Sequence, residues 1–333
     1  MRATPTLFAL LLAAGCAGPS GPSRPSGTPD EGKLAVLTTV SPITNVIENV
    51  GGELISLTGL VPEGLNSHTF EPAPSDARLL ASADLIFING LNLEEPTRRL
   101  AEANLAPGAR IVQLAERTIT REERIFDFSF PEAGGDPNPH LWTNPLYAGR
   151  FSEIVSKELS KADPANAPRY RANQAAFAGK VAVLDQAVRA ASASLRPERR
   201  RLLTYHDSFP YFAREYGWTI VGAIQPSDFS EPSPRELAAL IEQVRQEKVP
   251  AIFGSEVFPS PVLKQIAAET GASYVDDLRD DDLPGEPGDP DHTYLGLMRF
   301  DFVTIVEALG GNASELKELD VSNVANGRAR YRS

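Results

Sequence analysis

Four histidines are spread through this 333-residue chain: His68, His140, His206 and His292. His68 stands in "GLNSHTFEP", a short polar loop that follows the apolar run "LISLTGLV". His206 closes the run "RLLTYH", and Asp276 lies near the end of "ASYVDD". His140, in "DPNPHLWTNP", precedes a helical stretch over 146–161. In open α/β sheets ligands gather beyond the carboxyl ends of the strands. Two such sheets facing each other bring His68 and His140 from one half against His206 and Asp276 from the other. Three imidazoles and one carboxylate form a sufficient first shell for a divalent transition metal. None of the spacings is a local motif such as HExxH, so on pattern alone ordinary loop histidines are the plainer account of the same residues.

The elements needed to position such a set are present. From Lys33 onward short β-rich runs alternate with helical stretches, as in parallel α/β sheets. The first half offers strands over 33–40, 54–61, 84–90 and 110–114. The second offers 201–206, 219–224, 250–254 and 272–277. The expected fold is therefore α/β, with two four-stranded parallel-sheet lobes over 34–161 and 198–333. Between them, residues 162–197 carry a stripe of Tyr170, Phe177, Val181, Leu184, Val188, Ala191 and Leu195 at helical spacing. With Asp163 as cap and Pro164 in the first turn, one helix from Pro164 to Leu195 would run about 48 Å. Such a strut joins two lobes and resists wide hinge motion; an amphipathic helix packed on one sheet is the plainer alternative.

Composition narrows the partners. The chain is 42% hydrophobic and 23% charged, enough to bury a core, and its formal charge of −12 argues against a nucleic-acid partner. The single cysteine, Cys16, ends "MRATPTLFALLLAAGC", where Arg2 precedes a short apolar run and small residues, the layout of an export signal. The run is too short to span a bilayer. "LAAGC" looks like a lipobox, which predicts removal of residues 1–15, a lipid on Cys16 and anchorage on the outer side of a membrane; a plain secretory signal with a spare cysteine is the other reading. Residues 16–33 are then a lipidated Cys and a Pro/Gly/Ser tether reaching roughly 20–25 Å.

Six further segments, in order, carry a resemblance. They are "VPEGLNSHTFEPAPSDARLLASADLIFINGLNLE", "DPNPHLWTNP", "LLTYHDSFPYFAREYGW", "EPSPRELAALIEQVRQEKVPAIFGSE", "IAAETGASYVDDL" and "TYLGLMRFDFVTIVEAL". Through them the chain resembles the zinc- and manganese-binding lipoproteins that serve as substrate-binding components of metal-importing ABC transporters. The resemblance implies two α/β lobes bridged by one long rigid helix, with one metal ion (Zn²⁺, or Mn²⁺ as runner-up) held in the cleft by His68, His140, His206 and Asp276. It also implies a membrane permease with its cytoplasmic ATPase as partner, a monomer, and no catalysis. The departures are "NSH" where "DPH" is common, "DPNPH" for the usual "DPH", and the absence of histidine from 115–139.

Three further expectations stand beside this reading. The acidic stretch "DDLRDDDLPGEPGDPDH" over 276–292 does not fit calcium-loop spacing and reads as a solvated, mobile loop, with His292 at most an accessory cation ligand. Glu256 either orients a ligand histidine or caps the next helix. The rival functions are a zinc-dependent hydrolase, which would leave one metal position open for water, and an adhesin-like surface lipoprotein, which needs no buried metal.

Overall fold

A computed structural model of the chain describes residues 32–225, 230–255, 261–276 and 278–332. Cys16, the tether before residue 32 and Glu256 lie outside the described residues. The first lobe runs β1 (Leu34–Thr38), α1 (Ser41–Gly51), β2 (Ile55–Gly59), α2 (Asp76–Ala81), β3 (Leu85–Ile88), α3 (Glu95–Asn104) and β4 (Arg110–Gln113). Two helices follow, α4 (Pro145–Ala162) and α5 (Ala167–Ala193). The second lobe runs β5 (Arg201–Thr204), α6 (Pro210–Tyr216), β6 (Thr219–Ala223), α7 (Pro234–Glu247), β7 (Ala251–Phe253), α8 (Pro261–Thr270) and β8 (Ser273–Val275). The chain ends in α9 (Tyr294–Ala308), α10 (Ser314–Lys317) and β9 (Arg330–Tyr331).

All eight strands expected from the sequence form, and every pairing is parallel. The second sheet has the order β6-β5-β7-β8, but the first has five strands rather than four, in the order β4-β3-β1-β2-β9. The added strand comes from the chain end, where Arg330 and Tyr331 pair with Thr58 and Gly59 of β2. Two residues without an apolar run give no strand signature; backbone pairing with an open sheet edge supplies what the side chains do not.

The connecting helix begins later than expected. Asp163 follows α4, and its carboxylate accepts hydrogen bonds from Asn166 Nδ2 at 2.7 Å and the Tyr170 hydroxyl at 2.8 Å. A helix started at Pro164 would require an N–H at Pro168, which proline lacks. Starting at Ala167 puts Pro168 in the first turn, where no donor is needed. At 27 residues α5 is about 40 Å long. Tyr170, Phe177, Val181, Leu184, Val188 and Ala191 are buried along it as the spacing required. The stripe belongs to one core that takes in Val36 and Phe87 of the first sheet, Phe151 of α4, Leu202 of the second sheet, and Leu297 and Phe302 of α9. Because side chains of both sheets pack in this core, the lobes are joined by packing as well as by chain.

Candidate metal centre

Three of the four residues singled out by position at strand ends meet at one point. His68 follows β2, His206 follows β5, and His140 precedes the short turn Leu141–Thr143 that leads into α4. The Nε2 atoms of His68 and His140 are 3.0 Å apart, those of His68 and His206 3.2 Å, and those of His140 and His206 2.9 Å. Among the described residues this is the one group of three or more His, Cys, Asp or Glu side chains whose donor atoms lie this close.

The outer nitrogens are tied down. Nδ1 of His140 is 2.8 Å from Asn138 Oδ1, and Nδ1 of His206 is 2.6 Å from Gln225 Oε1. His68 is held through its backbone N–H, which donates to Asn66 Oδ1 at 2.9 Å. An imidazole that gives its Nδ1 proton to an amide oxygen presents a lone pair on Nε2. Phe130 and Trp142 wall the site, with ring centroids 5.6 Å from His68 and 5.1 Å from His140 respectively. Burial holds His68 and His140 well below the ordinary histidine range, and the neighbouring His206 pushes both further down. Burial also lowers His206, opposed by the negative charge of Asp281 and by its bond to Gln225. All three rings are therefore neutral donors at neutral pH. A cleft of about 350 Å³ lined by His68, Leu93, Phe130 and Pro139 connects the cluster with the surface.

Asp276 does not join them. It is exposed at the end of β8, where the Tyr274 hydroxyl donates to its carboxylate. The carboxylate that approaches the cluster comes from four residues further on. Asp280 Oδ2 lies 3.4 Å from His206 Nε2, and Asp281 is buried beside it. The first lobe draws this segment in with a set of donors. Trp142 Nε1 donates to the Asp280 carbonyl at 2.7 Å, and the Ser41 hydroxyl to the Asp281 carbonyl at 2.8 Å. The Ser67 and Gly64 N–H groups donate to the carboxylates of Asp281 and Asp282 at 3.2 and 2.7 Å. The acidic stretch is thus no uniform solvated loop. Asp280 to Pro284 are buried, and exposure begins at Gly285. The signal that marks the buried part is apolar: Leu278 and Leu283, each 2% exposed, bracket the three aspartates and anchor them. His292 sits elsewhere, with Nε2 3.5 Å from Glu63, in a separate pocket that also contains Glu48 and Asp289.

Two parallel-sheet lobes on a rigid helix, with a buried three-imidazole cluster where loops from both lobes meet, define a two-lobed α/β binding protein with a metal-competent cleft. The chain belongs to the family described as zinc-uptake complex component A, periplasmic, which it matches over residues 36–308. It is 30% identical over 278 residues to the iron-binding protein YfeA of Yersinia pestis, covering 84% of this chain and 87% of that one. It is 28% identical over 284 residues to the manganese ABC transporter substrate-binding lipoprotein PsaA of Streptococcus pneumoniae, covering 83% and 89%. The solved structure of the periplasmic zinc-binding protein TroA of Treponema pallidum is similar with a TM-score of 0.75 at 28% identity, covering 84% of this chain and 99% of that one.

Proposed function

We propose that this protein captures one divalent transition-metal ion outside the cytoplasm and delivers it to the membrane permease of an ABC importer. The observation that carries the reading is the triangle of Nε2 atoms at 2.9–3.2 Å. Three lone pairs this close repel one another unless a cation lies between them. A tetrahedral zinc ion with Zn–N distances near 2.0–2.1 Å sets its nitrogens about 3.3 Å apart, close to the spacing here. The fourth side belongs to the Asp280–Asp281 pair. With a carboxylate from that pair as fourth ligand, the site would suit carriage rather than hydrolysis, which needs an open position for water. The adhesin reading gives no reason for three buried imidazoles to converge.

Three nitrogens and a carboxylate favour zinc as the physiological cargo. Manganese is the second reading. Two adjacent buried aspartates offer more oxygen than one, and manganese prefers oxygen and a higher coordination number. The names of the relatives include iron, manganese and zinc binders, so kinship does not choose among them. The same reading gives Cys16 a lipid, makes residues 17–33 a tether, and leaves the carrier monomeric at the outer face of the membrane.

The test is equilibrium competition of zinc and manganese against chelators, combined with growth of a deletion strain starved of each metal. One tight site per chain is expected. His68→Ala, His140→Ala and His206→Ala should each weaken it by more than the roughly 10–100-fold typical of an outer-shell loss, while His292→Ala leaves it unchanged. Loss of tight binding in His292→Ala would overturn the site, and rescue of growth by manganese alone would overturn the choice of zinc.

A further inference from the structure

Asn138 lies two residues before a proposed ligand and is completely buried. Its Oδ1 accepts from both the backbone N–H of His140, at 3.1 Å, and the ring nitrogen Nδ1, at 2.8 Å. Its Nδ2 donates to the Asp207 carbonyl at 2.6 Å and stands 3.4 Å from each carboxylate oxygen of Asp127. Its main chain is fixed as well: the N–H donates to the Ile125 carbonyl at 2.9 Å, and the carbonyl accepts from the Tyr211 hydroxyl at 2.9 Å. The amide therefore faces acceptors on one side and the His140 ring on the other. Turning it over would set its oxygen against the Asp207 carbonyl, which its Nδ2 meets at 2.6 Å, with no donor between them. Only one orientation is compatible with these neighbours. It requires the His140 proton to be on Nδ1, facing Asn138 Oδ1.

We infer that Asn138 is a positioning residue whose side-chain amide orients His140 with its Nε2 lone pair towards the metal and ties that ring to the second-lobe segment bearing His206. The role rests on the metal-carrier reading above, and it depends on the polarity of the amide, not only its shape. Asp207 follows His206 directly, so one amide touches the supports of two proposed ligands, one from each lobe. An aspartate at 138 has the same size and still accepts from His140. It cannot donate to the Asp207 carbonyl. The isosteric change Asn138→Asp therefore isolates the donor half of the relay.

Two measurements test this. Long-range proton–nitrogen NMR of metal-free, ¹⁵N-histidine-labelled wild type should show His140 protonated at Nδ1; protonation at Nε2 would overturn the proposal without any variant. Zinc competition should then show Asn138→Asp weakened by roughly 10–100-fold. Affinity unchanged in Asn138→Asp would mean that shape alone matters and would overturn the polarity argument. Thermal unfolding of the variant separates loss of fold from loss of binding. If wild type itself failed to bind zinc, the carrier reading would fall, while the NMR result would still decide the tautomer.

Discussion

Two imidazoles of the cluster combine an inward lone pair with a backing contact, and these backing residues are neutral amides rather than carboxylates: Asn138 behind His140 and Gln225 behind His206. The negative charge that a divalent cation needs must then come from elsewhere. On the proposed reading Asp280 and Asp281 would provide it, both buried at 3–4% exposure where an uncompensated charge is costly. Burial pushes the Asp281 carboxyl up, opposed by hydrogen bonding from Ser67 and by His206, so this carboxylate is best stabilised with a cation present. Removing both carboxylates, as Asp280→Ala/Asp281→Ala, should reduce zinc affinity more than 100-fold, beyond the roughly 10–100-fold effect of outer contacts. Asp276→Ala should leave it unchanged, because that carboxylate is exposed and bonded to Tyr274, away from the cluster. Isothermal competition titration would read both, and a sharp loss in Asp276→Ala would contradict the geometry. The histidines were legible because each follows or precedes an element that the apolar pattern marks clearly. The aspartate was not. Five acidic residues lie within 276–282, and which of them turns inward depends on donors at Ser41, Gly64, Ser67 and Trp142, more than a hundred residues away in sequence.

The elements that carry these side chains are set by contacts at strand ends. At the end of β3, Gly90, Leu91 and Asn92 take φ values of 90°, 51° and 66° in succession. A Cβ at Gly90 would come within 2.0 Å of the Glu116 carboxylate, so glycine is required there. Two carboxylates hold the turn. Glu94 accepts from the N–H groups of Asn89 and Gly90 and from the Thr39 hydroxyl, and Glu116 accepts from the Leu91 N–H. Asn89 in turn donates to the Pro139 carbonyl at 2.9 Å, immediately before His140. Burial raises the Glu94 carboxyl to about 7 against local hydrogen bonds that lower it. The folded-state value thus lies above the ordinary glutamate value of about 4.5. The folded protein binds the proton more tightly than the unfolded chain, and this contribution is fully present below about pH 4.5 and lost as pH rises through about 7. Relative to Glu94→Gln, wild type should therefore lose stability between pH 5 and pH 8, by up to about 3 kcal/mol, in urea unfolding of the metal-free protein. A difference that did not change with pH, or that changed in the opposite direction, would contradict this. The strand that escaped sequence reading, β9, illustrates the limit of pattern. It is specified by its place on the sheet edge beside β2, and it is secured by Arg332, whose Nη1 lies 2.7 Å from the buried Asp76 carboxylate.

Across the whole molecule, the first lobe contributes His68 and His140 and the second contributes His206, so a bound ion ties the lobes to each other at the cleft. Behind the cleft, α5 and the common core already join them. Ordering of the 64–68 and 280–282 loops is accordingly the motion available on capture, in preference to rotation about a soft hinge. This combination of a stiff back and a front built of loops was legible in the sequence as a long apolar stripe between two sets of strands. The closure of the fourth side was not, because it depends on how the two halves meet. The central claim is that loops from both lobes supply three imidazoles and a carboxylate to one ion. X-ray absorption spectroscopy on protein loaded with one equivalent of zinc tests this most directly, in wild type and in His206→Ala. The expected wild-type spectrum has three imidazole nitrogens near 2.0–2.1 Å with oxygen completing the shell, and His206→Ala should lose one imidazole. Two or fewer imidazoles in wild type, or a shell unchanged by His206→Ala, would contradict the account.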